Sequence, residues 1–548
     1  KYYEELGLPK NEETVLKAKN ALMNTSEILT NPDDENSMYS PRRQGSGLMK
    51  IEQAIKSPYL VEHAGAPLET AASVALKEVD RTFDFTLDVK PLTRKLEKAN
   101  DQYEIVVDVL MDETEKKTYD GVEREYLTLH SVPIEGAVVK VNGKQLDDKK
   151  IQYKPRRDGE VKISVTLPEE LSEGRFVEGF VRFVPKGSSV KDLSTLTMPF
   201  MGYYGDWDAI DNIDESPVNG DPFLGYTVLW NDMLTLPMGY NSSTGTFDPN
   251  EIGYSKNAVP TGMYPSFTAF RNLKEMSLKV EDEKGNTVAH ITNFGDFTED
   301  GSPYPFRKNI MSYGNYSYKF DGMYWSGKDD EGNQLPDGNY TYVYESTLNY
   351  EGAKPQQTKI PIKLDSAAPV VKNINIAELA DGKYKITWDV TEKGTKHIGN
   401  FIWVNDGYQK SVSADSNEYI TDEKPEMVMV SAIDGLRNVG VGYTGNKELL
   451  HAGPFINYWN VSGSNVNETK PASILIFGYK RMDWHLEISD AEGNVLEYAD
   501  IKNEHSIYGL KWYPDAEYPN GDYYITVTGT DETGLSLKSE KKKITVKH

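Results

Sequence analysis

Cysteine is absent from the 548 residues, and histidine is scarce, at eight. The first absence excludes disulfide scaffolds, thiolate zinc sites and a cysteine nucleophile, and it suits export, because a chain without thiols cannot mispair outside the cell. The histidines are His63, His130, His290, His397, His451, His485, His505 and His548, and no two are spaced to share a metal on one helix. Neither His-Glu-x-x-His, a Gly-x-Ser-x-Gly elbow nor a P-loop occurs. Long apolar runs are missing too. The best is Ser473-Ile-Leu-Ile-Phe-Gly, far below the roughly 18 residues of a membrane span, so a soluble chain without a span is expected. Lys1-Tyr-Tyr-Glu-Glu has no apolar core behind its charge, which leaves an intracellular chain or a processed or excised fragment as the expectation. Positive charge is in deficit: 60 Lys and Arg stand against 85 Asp and Glu, a net −25, with only Lys541, Lys542 and Lys543 clustered. Such a chain repels phosphate backbones and anionic headgroups, so no nucleic-acid partner is expected.

What is present is ample material for packed cores, 38% hydrophobic and 11% aromatic residues, over a length that suits about three to five domains. Residues 11–25 read as a helix, with Asn11 as cap, Glu12 and Glu13 in the first turn, and Val15, Ala18 and Leu22 at helical spacing. From about Tyr59 the period changes to two, as in Phe83-Asp-Phe-Thr-Leu-Asp-Val and Val161-Lys-Ile-Ser-Val-Thr-Leu. Gly, Asn, Asp and Pro clusters separate these runs, the pattern of antiparallel sandwiches.

An internal repeat organises the later part. Leu278-Lys-Val-Glu-Asp-Glu-Lys-Gly-Asn-Thr-Val, Trp325, Leu335-Pro-Asp-Gly-Asn-Tyr and Lys359-Ile-Pro-Ile are matched by Leu486-Glu-Ile-Ser-Asp-Ala-Glu-Gly-Asn-Val-Leu, Trp512, Tyr518-Pro-Asn-Gly-Asp-Tyr and Lys543-Ile-Thr-Val. Gly-Asn supplies a hairpin turn, the tryptophan a core anchor, and Pro-(Asp/Asn)-Gly the turn into the next strand.

Three motifs invite chemistry and are better read as structure. Tyr340, Tyr342 and Tyr344 share a strand face that could stack on a carbohydrate, but the repeat replaces them by Tyr523, Ile525 and Val527, which favours core packing. Asp329-Asp-Glu-Gly-Asn lacks the EF-hand ligand spacing and reads as a hairpin turn. Gly440-Val-Gly-Tyr-Thr-Gly matches a dinucleotide fingerprint, but no amphipathic helix follows it. With so many acidic residues, sequence selects no carboxylate pair for glycoside hydrolysis.

Ala18-Lys-Asn-Ala-Leu-Met-Asn-Thr, followed by Ser40-Pro-Arg-Arg-Gln-Gly-Ser-Gly-Leu-Met-Lys-Ile, resembles the closing elements of a subtilisin-type catalytic domain. In particular it resembles the cell-envelope serine proteinases, lactocepin and the complement-cleaving peptidases. Glu178-Gly-Phe-Val-Arg-Phe and Met198-Pro-Phe-Met-Gly-Tyr-Tyr-Gly-Asp-Trp resemble the end of the fibronectin-type-III-like domain that follows the protease in that family.

The resemblance implies peptide hydrolysis by an Asp, His, Ser triad in the parent protein. This chain has neither Gly-Thr-Ser nor His-Gly, so no catalytic residue is expected in it and the triad would lie upstream of Lys1. Ser46, in Gly-Ser-Gly, matches a position that is simply small. No cofactor-binding or metal residue is assigned; structural calcium is compatible with the family but falls on no identifiable residues.

The expected fold is mainly β, tandem fibronectin-III/Ig-like sandwiches behind a short α/β remnant of a subtilisin-like domain. The expected division is 1–57 (protease end), 58–207 (first sandwich), 208–366 (second), 367–455 (third) and 456–548 (fourth, a repeat of the second). The expected function is that of the non-catalytic C-terminal region of a secreted, bacterial cell-surface serine endopeptidase. Its partners would be protein or peptide substrates and an N-terminal catalytic fragment. The alternative is a non-enzymatic adhesion or binding protein. In isolation, residues 1–57 would lack the parallel sheet on which they normally pack, and so be poorly protected or repurposed.

Overall fold

A computed structural model describes the chain except residues 1–6, 93–101, 120, 147–149, 156–158, 187–192, 232–235, 259–261, 294–305, 309–317 and 320–322. The segment just after a serine helix, which the resemblance assigns to Lys1-Tyr-Tyr-Glu-Glu-Leu, lies outside the described residues. The fold is mostly β, and the chain divides into two compact units, Lys1–Ile210 and Asp211–His548. No helix among the described residues is long and apolar enough to cross a membrane.

Among the described residues the first unit is built on two sheets. One runs in the order 30–31, 34–39, 122–133, 103–119, 175–185, 196–204, 74–79, with 150–153 added alongside 103–119; the other runs 59–63, 82–91, 161–166, 138–141, 144–145. Period-two alternation puts Phe83, Phe85, Leu87 and Val89 inward, where they meet Val161, Ile163 and Val165 of the paired strand. The opposing sheet contributes Tyr103, Ile105, Val107, Val181 and Phe183 to the same core. At about 25 cal/mol per Å2 of buried apolar surface, this interior is the chief stabilising term of the unit.

The N-terminal segment packs on the first sandwich. The helix Glu12–Asn24 starts at Asn11, whose Oδ1 accepts from Thr14 N at 3.0 Å. The apolar stripe read from the sequence is covered only in part: Leu22 packs against the buried Ala21, Ala54, Leu60 and Leu92, whereas Val15 is 68% exposed, and Asn20 and Asn24 are buried beside Ala21. Beside this small apolar cluster the two buried asparagines bond to backbone. Asn24 Oδ1 accepts from Val61 N at 2.9 Å while its Nδ2 donates to Thr197 O at 3.3 Å, and Asn20 Nδ2 donates to Leu68 O at 3.0 Å. Amides satisfy backbone groups, in strands at Val61 and Thr197 and in a loop at Leu68, that an apolar face would leave unpaired. The following strand Asp34–Tyr39 joins the first sheet, Met38 opposite Ser131 and Tyr39 opposite His130.

Among the described residues the second unit contains six sheets. Strands Leu273–Glu281, Gly338–Leu348 and Gln356–Leu364 lie side by side in a five-stranded sheet. Two further sheets follow, one of three strands (370–378, 384–391, 418–421) and one of four (410–413, 397–404, 427–434, 439–445). The last is built on two 18-residue strands, Ala472–Ser489 and Val495–Trp512.

The repeat is structural as well as sequential. Tyr340 Oη donates to Pro336 O and Tyr523 Oη to Pro519 O, both at 2.9 Å, and Trp325 and Trp512 are both buried. Asp282 Oδ1 accepts from Asn286 N and Asp490 Oδ1 from Asn494 N, closing equivalent turns.

Candidate functional site

Two constellations draw distant parts of the chain together. The first fastens the N-terminal segment to the first sandwich. Ser40 caps the short helix Pro41–Gln44, its hydroxyl accepting from Arg42 N at 3.1 Å, and proline at the first turn costs no hydrogen bond there. This turn aims Arg42 into the sheet. Its Nε donates to Glu178 Oε2 at 2.9 Å, its other arm reaches Asp112 Oδ1, and its guanidinium lies 4.0 Å from the centre of the Phe176 ring. Asp112 Oδ2 in turn accepts from Phe176 N at 2.9 Å, and Glu178 Oε1 accepts from Ser131 Oγ at 2.5 Å. Glu178 is fully buried. A forked, planar cation between two carboxylates and above a ring is a task for arginine and not lysine.

Close backbone approaches frame this anchor. A Cβ on Gly179, beside Glu178, would fall 1.9 Å from Asp108 O, and one on Gly47, at φ +111°, would fall 2.2 Å from Glu27 O. Both positions belong to the segments that carry the family resemblance.

The second constellation lies within the second unit, where sheets end. Asp365 follows the strand Gln356–Leu364, Glu392 follows Tyr384–Thr391, and Asp434 closes Met427–Asp434. Asp434 heads a turn in which its Oδ1 accepts from Leu436 N and Asn438 N and its Oδ2 from Asn438 Nδ2. Asn438 continues the network, donating to Asp365 O at 2.9 Å and accepting from Ser255 Oγ at 2.5 Å. The same Asp-x-x-x-Asn turn occurs at Asp282, Asp329 and Asp490. At Asp282 and Asp490 the hydrogen bond from the turn's asparagine side chain holds the carboxyl below its usual range. At Asp434, burial outweighs those bonds and, with the charges of Asp365 and Glu392, pushes the carboxyl up to about 6.

The motifs weighed from sequence take structural places. Tyr342 and Tyr344 are fully buried, and Tyr340 nearly so, which makes that strand face core. The carboxylate of Asp329 is occupied by Glu331 N, Asn333 N and Asn333 Nδ2, all in its own turn. Gly440-Val-Gly-Tyr-Thr-Gly lies in the strand Val439–Gly445, paired antiparallel to Met427–Asp434. Ser46 is buried and its hydroxyl has no hydrogen-bond partner among the described residues. The Asp365, Glu392, Asp434 grouping carried no sequence signal beyond the Asp365-Ser-Ala-Ala-Pro boundary, because its members are 27 and 42 residues apart.

An Fn3-like domain family profile matches residues 74–201, within the first sandwich. The chain is 28% identical over 398 residues to the PI-type proteinase of Lactococcus lactis subsp. cremoris, covering 67% of this chain and 19% of that protein. It is 22% identical over 424 residues to the C5a peptidase of Streptococcus pyogenes, covering 65% of this chain and 33% of that one. Among solved structures, a tetra-tandem repeat in the extending region of a large adhesion protein aligns over 86% of this chain and 98% of that one. Its identity is 12% and its TM-score 0.17. The matched parts are thus 19% of the lactococcal and 33% of the streptococcal relative. The chain is a homologue of cell-envelope proteinases and C5a peptidase that carries an Fn3-like domain.

Proposed function

We propose that the chain is the non-catalytic C-terminal region of a secreted, cell-surface, subtilisin-like serine endopeptidase. The first sandwich would support the catalytic domain, and the later ones, divided at 208–366, 367–455 and 456–548, would serve as spacer and as exosites for protein substrates. The observation that carries this reading is the Arg42 anchor, in which the segment resembling the end of a subtilisin-type domain is tied to Glu178 and Asp112 of the first sandwich. That segment also leaves Val15, Leu48, Met49, Ile51 and Ile55 exposed. Apolar surface of this kind marks an interaction face, here one for an upstream catalytic domain.

An exosite is supported by Tyr458, Phe477 and Tyr508 on neighbouring strands, with ring centres 6.1 and 5.2 Å apart and both tyrosines exposed. Rigid aromatic side chains give contact area at small entropic cost. The net charge of −25 would steer basic segments toward it.

The test is deletion of residues 367–548 from the complete protein. Cleavage of a protein substrate should fall at least tenfold while a short chromogenic peptide is cleaved as before; equal cleavage of both would reject the exosite. For the reading as a whole, the residues encoded before Lys1 should include Gly-Thr-Ser-Met-Ala, and a complete protein without that motif would overturn it.

A further inference from the structure

We propose that Asp365, Glu392 and Asp434 form a calcium site that clamps the ends of three sheets in the second unit. One carboxylate oxygen from each lies within 4.8 Å of the others. Calcium sits about 2.3–2.6 Å from its oxygen ligands, so oxygens on opposite sides of one ion are about 4.6–5.2 Å apart, and a single ion spans this separation. All three donors are hard oxygens without histidine, a set that favours calcium or magnesium over zinc or copper. Magnesium prefers to keep several waters, whereas calcium accepts a closed, irregular cage of protein oxygens.

A separate observation points to the same occupant. Glu392 Oε1 accepts from Lys393 N and Gly394 N at 2.7 and 2.8 Å, but its Oε2 is buried with no hydrogen-bond partner among the described residues. Thr395 is only 6% exposed, its hydroxyl likewise has no partner, and its amide donates to Asp365 Oδ2 at 2.7 Å, which fixes the residue against the cluster. Buried oxygens left without partners are costly, and an oxygen-ligated cation satisfies both at once.

Among the described residues no lysine or arginine forms an ion pair with these three carboxylates. Lys363, two residues before Asp365, donates its ammonium to Gly394 O at 2.6 Å. Lys396 pairs with Asp248 at 3.5 Å. The three strands that end at the cluster belong to three different sheets, so bound calcium would cross-link them where hydrogen bonding stops.

The test uses the 548-residue chain stripped with EDTA and titrated calorimetrically with calcium chloride. Wild type should bind calcium at this site, Glu392→Gln should bind it at least tenfold more weakly, and Asp330→Asn, in an exposed turn, should match wild type. Calcium should also slow hydrogen exchange at the amides of Thr395, Leu436 and Asn438 in wild type. Equal affinity in wild type and Glu392→Gln, or no binding at millimolar calcium, would overturn the proposal, and magnesium binding as tightly would overturn the choice of ion. If Glu392→Gln fails to fold, unchanged exchange at those three amides on adding calcium to wild type rejects the site.

Discussion

Arg42 donates to Glu178 at 2.9 Å across 136 residues of chain, joining a segment that resembles the end of a protease to a strand that resembles the domain after it. The pair is shared with Asp112, and the carboxylate of Glu178 is out of contact with water. A buried pair of this kind contributes little relative to an apolar replacement, but removing one partner leaves the other stranded.

Arg42→Ala is therefore expected to destabilise the first unit by about 3 kcal/mol, because two carboxylates lose their cation. Arg42→Lys should recover less than half of that, since an ammonium cannot fork between both carboxylates and stack on Phe176. Urea titration of the first unit reads both values. A loss below about 1 kcal/mol in the alanine variant would show that the anchor is not a structural tie.

Gly179→Ala should cost more than about 3 kcal/mol, through displacement of a central strand pairing. The added methyl would overlap Asp108 O on the neighbouring strand, and backbone cannot swing aside as a side chain can. Thermal unfolding compared with a surface control such as Gly285→Ala, where a Cβ would meet nothing within 4 Å, separates overlap from conformation. A similar cost at both sites would refute the overlap.

The paired tyrosines of the repeat give a matched test. Tyr340→Phe and Tyr523→Phe each lose a hydrogen bond to a carbonyl four residues earlier and should each cost about 1 kcal/mol. Tyr342→Phe removes a buried hydroxyl that has no partner among the described residues and should be neutral or stabilising. Denaturant midpoints decide it, and a Tyr342→Phe cost equal to the other two would sink the distinction.

Asp434 fixes the sign of a pH effect in calcium-free protein. Its carboxyl is raised from the usual 3.8 to about 6, chiefly by burial and then by Asp365 and Glu392, so between those values the folded state holds a proton that the unfolded state has released. Stability from this group is greatest below about pH 4 and falls as pH rises to about 6, by about 3 kcal/mol at 1.36 kcal/mol per pH unit. Unfolding in EDTA between pH 4 and 7 should show this decline in wild type, and Asp434→Asn should lack it. Parallel curves for the two proteins would contradict the assignment.

Much of the fold was legible in the residues because a strand records its two faces locally. Phe83, Phe85, Leu87 and Val89 alternate in the sequence as they do in the core, and the repeat announced equivalent turns at Asn286 and Asn494. The helix at Glu12–Asn24 was legible from its cap and first turn, and its face only in part, since Leu22 packs inward and Val15 does not. Beside the small apolar cluster at Leu22, the helix covers backbone groups, which Asn20 and Asn24 satisfy and an apolar side chain cannot.

The sequence by itself determined the β architecture, the internal repeat and the absence of cysteine chemistry, since period, turn residues and composition act at short range. Only the tertiary structure decided that Arg42 meets Glu178 and that Asp365, Glu392 and Asp434 converge. The turn at Asp434 is written like those at Asp282 and Asp490, and nothing in five residues tells whether the carboxylate will face water or two other acids. That difference is set by which sheet ends pack together, a property of contacts tens of residues apart, and it turns an ordinary turn residue into part of a candidate metal site.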